Sequence, residues 1–181
     1  MAAIVVFALL FLLAFLYNTQ KQAVLGFVNG QLDKKAATEV YTYYKVIRVV
    51  DGDTLDINYG ATEEKVRLIG INTPETVDPR KAVECFGKEA SARMTGLAGG
   101  KIVRLEMDDS QSQRDIYGRL LAYVYLEDGE MLNRKMIAEG YAYEYTYMTP
   151  YRYQAEFREI QTLAKTSNRG LWAPNTCNGQ K

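Results

Sequence analysis

Short stretches of apolar and β-branched residues, each bounded by turn signals, occupy the middle of the chain before helical periodicity takes over. Tyr44 to Val50 is rich in strand formers, Asp51-Gly52 marks a hairpin turn, and Leu55, Ile57 and Tyr59 then alternate with polar neighbours. This pattern predicts a two-stranded ribbon. A third strand, Lys65 to Ile71, stops at Asn72-Thr73-Pro74-Glu75, where proline removes a ladder donor. Ala82, Phe86, Ala90, Met94 and Leu97 recur at helical spacing as far as Gly99-Gly100, and Cys85 opens that helix. Ile102 to Met107 and Leu120 to Leu126 predict two more strands, the second followed by a turn at Asp128-Gly129. Met131 to Glu139, closed by Gly140, and Tyr151 to Lys165 predict two further helices. Five short strands with about three helices make a mainly β, α+β chain, and a five-stranded OB-type barrel is the natural closed sheet.

The first forty residues break this pattern. Ala2 to Tyr17 is an uncharged apolar run, about 24 Å long as a helix against a hydrocarbon core of about 30 Å. It predicts an N-terminal apolar helix ahead of the barrel, and three readings stay open: an uncleaved anchor, a cleaved signal, or a buried helix. The expected organisation is an anchor or signal segment over 1–20, a tether over 21–40, one domain over 41–177, and a tail over 178–181. The 181 residues predict one domain of ordinary size plus a short segment rather than a two-domain enzyme.

Composition narrows the chemistry. The chain has no histidine, which excludes Ser-His-Asp triads, Cys-His pairs and HExxH zinc sites. Catalysis must therefore use carboxylates, arginines, tyrosines or a metal held by oxygen. From Tyr41 onward 19 basic residues face 20 acidic ones, so positive charge for a polyanionic partner must be focused locally. Two cysteines, Cys85 and Cys177, cannot complete a common structural zinc site without histidine; either they pair or both are inert.

Three segments carry candidate chemistry. Val49-Val50-Asp51-Gly52-Asp53-Thr54 reads as a turn with two acids. In Val66-Arg67-Leu68-Ile69-Gly70-Ile71-Asn72-Thr73-Pro74-Glu75-Thr76, Arg67 interrupts an apolar strand and Glu75 lies just beyond its end. In Arg114-Asp115-Ile116-Tyr117-Gly118-Arg119, a glycine turn delivers Arg119 to the start of a strand. Each alone is an ordinary turn or solvated arginine. Together they supply hard oxygen ligands, a candidate base in Glu75, and two planar guanidinium forks able to grip phosphate. That set suffices for phosphodiester hydrolysis without histidine.

At these residues the chain closely resembles the staphylococcal nuclease family, from about Tyr44 to Trp172, with the three motifs in the family's order. The resemblance implies a five-stranded OB barrel and Ca²⁺-dependent cleavage of DNA and RNA that leaves 3′-phosphates. It further implies that Asp53 is a calcium carboxylate, that Thr73 offers its main-chain carbonyl, and that Glu75 is the general base. Arg67 and Arg119 resemble the pair that holds the scissile phosphate. One departure stands out: Asn72 occupies the position of a second calcium aspartate, so its amide oxygen is the expected ligand at the cost of one negative charge.

Six tyrosines, Tyr141, Tyr143, Tyr145, Tyr147, Tyr151 and Tyr153, crowd the region after Gly140. They read either as rings packed on the barrel or as a platform for base stacking, and Tyr145 and Tyr147 are the candidates for the second role. Arg80-Lys81 is a candidate source of local positive charge. Relatives with cysteines at similar places join them, so the resemblance implies a Cys85–Cys177 disulfide. Lys21, Lys34 and Lys35 follow the apolar run and favour a cytoplasmic domain, but the cysteines favour an oxidising compartment. The expectation is an extracytoplasmic nuclease, membrane-anchored through residues 2–17 or secreted, monomeric, with no protein partner implied. The rival reading is a nuclease-like OB domain that binds nucleic acid or protein at the cell surface without cutting.

Overall fold

The computed structural model describes residues 17–22, 41–76 and 83–180. Most of the expected apolar helix, and Arg80-Lys81, lie outside them; residues 17–22 are helical and exposed. Among the described residues no helix is long and apolar enough to cross a membrane. The barrel belongs to the unit Tyr41–Lys181.

In chain order the elements are β1 (Tyr43–Asp51), β2 (Thr54–Tyr59), β3 (Thr62–Leu68), β4 (Ile71–Asn72), helix α1 (Gly87–Ala98), β5 (Ile102–Glu106), β6 (Leu120–Leu126), α2 (Leu132–Ala138), β7 (Tyr143–Glu144), α3 (Gln154–Thr166) and a 3₁₀ turn at Gly170–Trp172. Strands β1-β2-β3-β6-β5 close into a barrel, the five-stranded α+β architecture expected of an OB-type fold. All neighbours are antiparallel except β3 and β6. Val46, Leu55, Ile57, Val66, Val103 and Val124 fill the interior with no exposed surface. Each such side chain contributes roughly 1.5–3 kcal/mol by burial, and a one-residue slip would turn the set outward, which fixes the register. Irregularities between Val46 and Arg48 and between Val49 and Asp51 bend β1 so that it pairs with both β2 and β5.

Several boundaries differ from the sequence expectation, and three of them follow from identified contacts. The third strand ends at Leu68 rather than Ile71, and Ile69-Gly70 form a turn. Buried Asn133 holds that turn: its Nδ2 donates to the Ile69 carbonyl at 2.8 Å while its Oδ1 accepts the Val124 amide at 2.9 Å. Ile71-Asn72 then pairs with Tyr143-Glu144 in a separate small sheet, leaving Thr73 to approach the β1–β2 turn. The first helix begins at Gly87, because Phe86 sits at φ 67° and packs its ring 5.3 Å from Tyr141; Ala90, Met94, Leu97 and Ala98 form its buried stripe. Helix α3 starts at Gln154 rather than Tyr151, since Tyr151 is buried against Phe157 and the Arg152 amide is taken by Asp108 at 2.8 Å.

Cys85 and Cys177 form a disulfide. It ties the approach to α1 to a second small core of Ala164, Leu171, Trp172 and Cys177.

Candidate active site

The β1–β2 turn places two carboxylates side by side. Asp51 closes β1, and its Oδ1 accepts the Asp53 amide at 3.1 Å, a local turn bond typical of aspartate. Asp53 is 5% exposed. Its Oδ1 accepts the Thr54 hydroxyl at 3.0 Å and its Oδ2 the Thr73 amide at 2.9 Å. Gly52 makes this approach possible, because a Cβ there would stand 2.6 Å from Thr73 Cγ2. Burial, and then the neighbouring charge of Asp53, push the Asp51 carboxyl up to about 7.

Arg67 reaches the same point from β3, where it pairs with Thr54 on β2 and Leu121 on β6. One guanidinium nitrogen lies 3.0 Å from Asp53 Oδ2 and donates to Asn72 Oδ1 at 3.2 Å; the other donates to the Leu68 carbonyl at 2.8 Å. Two carboxylates and one guanidinium leave this end of the site with an excess negative charge. Asp51 and Asp53, with Asn72 and Thr73 beside them, line one cavity and carry carboxylate, amide and carbonyl oxygens, a hard-oxygen donor set of the kind calcium takes. Among the described residues no group of three or more acidic, cysteine or histidine side chains is placed to hold a metal, and Asn72 brings a neutral amide to this corner.

Glu75 and Arg119 line the same cavity. The Glu75 carboxylate accepts the Thr76 amide at 2.9 Å. Arg119 opens the approach to β6 and is gripped by Asp115: its Nε donates to Asp115 Oδ2 at 2.6 Å, while Asp115 Oδ1 accepts the Arg119 and Tyr117 amides at 3.0 and 2.9 Å. The Asp115 turn thus presents Arg119 with its charge paired and its direction set.

All eight residues singled out as catalytic, metal-binding or base-stacking candidates line one cavity of about 540 Å³: Asp53, Arg67, Asn72, Thr73, Glu75, Arg119, Tyr145 and Tyr147. The tyrosine cluster divides. Tyr145 and Tyr147 are 43% and 56% exposed, with ring centroids 6.4 Å apart, and stand at the cavity with exposed Tyr117 and Ile116. Tyr141 packs on Phe86, Tyr143 on Trp172, and Tyr151 and Tyr153 on Phe157, with buried Tyr151 also lining the cavity.

The profile of the family described as staphylococcal nuclease homologue matches residues 65–174. The chain belongs to the staphylococcal nuclease family. The thermonuclease of Staphylococcus hyicus is 41% identical over 130 residues, 72% of this chain and 75% of that protein. That of Staphylococcus intermedius is 39% identical over 151 residues, 82% of this chain and 88% of its own length. Endonuclease YncB of Bacillus subtilis is 36% identical over 127 residues, 70% of this chain and 59% of the relative. The chain is a phosphodiester-hydrolysing nuclease of this family.

Three further residues of this nuclease line the cavity or set its arginine: Asp51, Asp115 and Tyr117. In the sequence Asp51 reads as turn geometry, although the Asp-Gly-Asp spacing puts both carboxylates on one turn. Asp115 stands four residues before Arg119, a spacing that turn residues bridge readily. Tyr117 joins the cavity from the same turn.

Proposed function

We propose that the chain is a calcium-dependent, sugar-nonspecific nuclease that acts as a monomer on DNA and RNA and leaves 3′-phosphates. One observation carries the reading: oxygen ligands, a carboxylate and two guanidinium groups converge on a single cavity. Asp53, Asn72 and Thr73, with Asp51 lining the same cavity, would hold the ion; when bound, calcium supplies Lewis-acid polarisation of a phosphoryl oxygen. Glu75 takes the proton of the attacking water, a contribution typically worth about 10² to 10⁴ in rate. Arg67 and Arg119 bring planar forks to the equatorial phosphate oxygens, where charge builds as phosphorus becomes pentacoordinate. Asp115 keeps Arg119 aimed through the bonds described above. Tyr145 and Tyr147 offer rings on which bases stack without regard to sequence or sugar.

The Cys85–Cys177 link supports an oxidising, extracytoplasmic setting, in which residues 2–17 serve as anchor or export signal. A nonspecific nuclease held there is also kept from the cell's own nucleic acid.

Incubating the full chain with plasmid DNA and with RNA, in Ca²⁺ or in chelator, and mapping the ends of the products tests the reading. Cleavage of both polymers in calcium alone, leaving 3′-phosphates, is expected. Cutting that persists in chelator, or 3′-hydroxyl ends, overturns it. Retention of both polymers without cleavage in calcium would favour the binding domain.

A further inference from the structure

Glu75 lies past the end of β4, so no sheet ladder holds its backbone. It is held instead by Glu84: the Glu75 amide donates to Glu84 Oε2 at 2.9 Å, and the Glu75 carbonyl accepts the Glu84 amide at 2.9 Å. Both main-chain polar groups of the residue are thereby committed to one partner. Glu84 is in turn fixed from behind. It precedes Cys85, which is bonded to Cys177, and Cys177 is buried with Leu171 and Trp172 in the second core. The start of α1 closes against the same strip of chain, because a Cβ on Gly87 would stand 2.6 Å from Thr76 Cγ2 and 3.1 Å from the Pro74 and Glu75 carbonyls.

We propose that Glu84 is a positioning residue for Glu75, and that the Cys85–Cys177 disulfide holds Glu84 in register, so that the C-terminal segment sets the placement of the base. The proposal rests on Glu75 being the base. Its physical basis is that proton abstraction tolerates little displacement, and a misplacement of about 1 Å can cost on the order of 10²-fold. Glu84 touches neither the phosphate-binding arginines nor the oxygen ligands in any bond described above. Its loss should therefore appear in turnover rather than in substrate or calcium affinity. The role of Glu84 is hydrogen-bond acceptance, so a neutral acceptor of the same length should replace it.

The test is steady-state kinetics of the full chain on an oligonucleotide at saturating Ca²⁺, for the parent, Glu84→Ala, Glu84→Gln, Glu75→Gln and the double variant Glu84→Ala/Glu75→Gln. Glu84→Ala is expected to lower kcat by about 10-fold or more with KM and the calcium midpoint within about twofold, while Glu84→Gln recovers most of the loss. The double variant should be no slower than Glu75→Gln alone, since residues acting through one group are non-additive. Should Glu84→Ala fail to fold, reducing the parent's disulfide under conditions where its circular dichroism is retained should lower kcat in the same way, and reoxidation should restore it. Near-parent turnover in Glu75→Gln would overturn the reading of Glu75 as base. A strong loss there combined with an unaffected Glu84→Ala, no rescue by glutamine, additive losses, or a reduced protein of full turnover would overturn the positioning role alone.

Discussion

The Arg67 guanidinium lies 3.0 Å from Asp53 and donates to Asn72 at 3.2 Å, so one arginine balances a carboxylate and engages the Asn72 amide oxygen of the same corner. A lysine there would keep the charge near Asp53 but lose the planar fork that serves Asn72 and the Leu68 carbonyl together.

Arg67→Lys and Arg119→Lys are accordingly expected to lower single-turnover cleavage by at least about 10²-fold. Near-parent rates in both variants would show that neither fork reaches the reacting phosphate. In Arg119→Lys the fold should be unaffected, since that side chain sits at the cavity and its turn is held by main-chain bonds to Asp115.

Asn72→Asp should reach half-maximal activity at lower calcium. The change adds a carboxylate to a corner where Asp51 is already pushed up to about 7 by burial and by Asp53, so the ion-free site becomes more strained by like charge. A divalent cation relieves that repulsion, and calcium affinity follows ligand charge. A calcium titration of activity giving an unchanged or raised midpoint would show that residue 72 does not face the ion.

The barrel was legible because alternation is a local property: Leu55 and Ile57, or Val103 and Leu105, declare a buried face within a few residues. The break at Ile69-Gly70 was not, because the apolar run continues through it and the turn is held by Asn133, distant in sequence. The same distinction divides the site. Asp53, Glu75 and Arg119 directly follow Gly52, Pro74 and Gly118 and so read as charges delivered by turns. The tyrosines read as one cluster, yet their division depends on Ile71 pairing with Glu144 and Asn72 with Tyr143, a register set by the tertiary fold. Likewise nothing near Glu84 announces that its carboxylate will hold the Glu75 amide.

Asp108 should give the fold a defined acid sensitivity. Burial alone would raise its carboxyl, but the Tyr123 hydroxyl at 2.6 Å, the Arg152 amide and Ser110 outweigh it and bring the group down to about 2. A depressed folded-state value means stability present above the unfolded value near 3.8 and lost as pH falls toward about 2, worth about 2 kcal/mol in all. Tyr123→Phe removes one donor, raises the Asp108 carboxyl and moves the acid limb to higher pH. The variant's deficit in urea midpoint should be larger at pH 7 than at pH 2. A deficit equal at both would show that the hydroxyl does not stabilise the charged form.

The disulfide joins residues 92 positions apart, nearly two thirds of the unit that contains the barrel. On the chain-entropy model, closing a loop of that size removes about 4 to 5 kcal/mol of unfolded-state freedom. The folded state has its own stake, because Cys177 is buried beside Leu171 and Trp172, and Tyr143 donates to the Gln180 carbonyl at 3.2 Å. Cys85→Ser/Cys177→Ser should therefore lower the urea midpoint by an amount corresponding to several kcal/mol. Reductant should do the same to the parent and nothing further to the double variant. The barrel strands make their own closed ladder, so the far-ultraviolet circular dichroism of the variant should stay close to the parent's before the transition. An unchanged midpoint in both comparisons would mean that the tail docks through its apolar contacts alone and that the covalent link adds nothing to the fold.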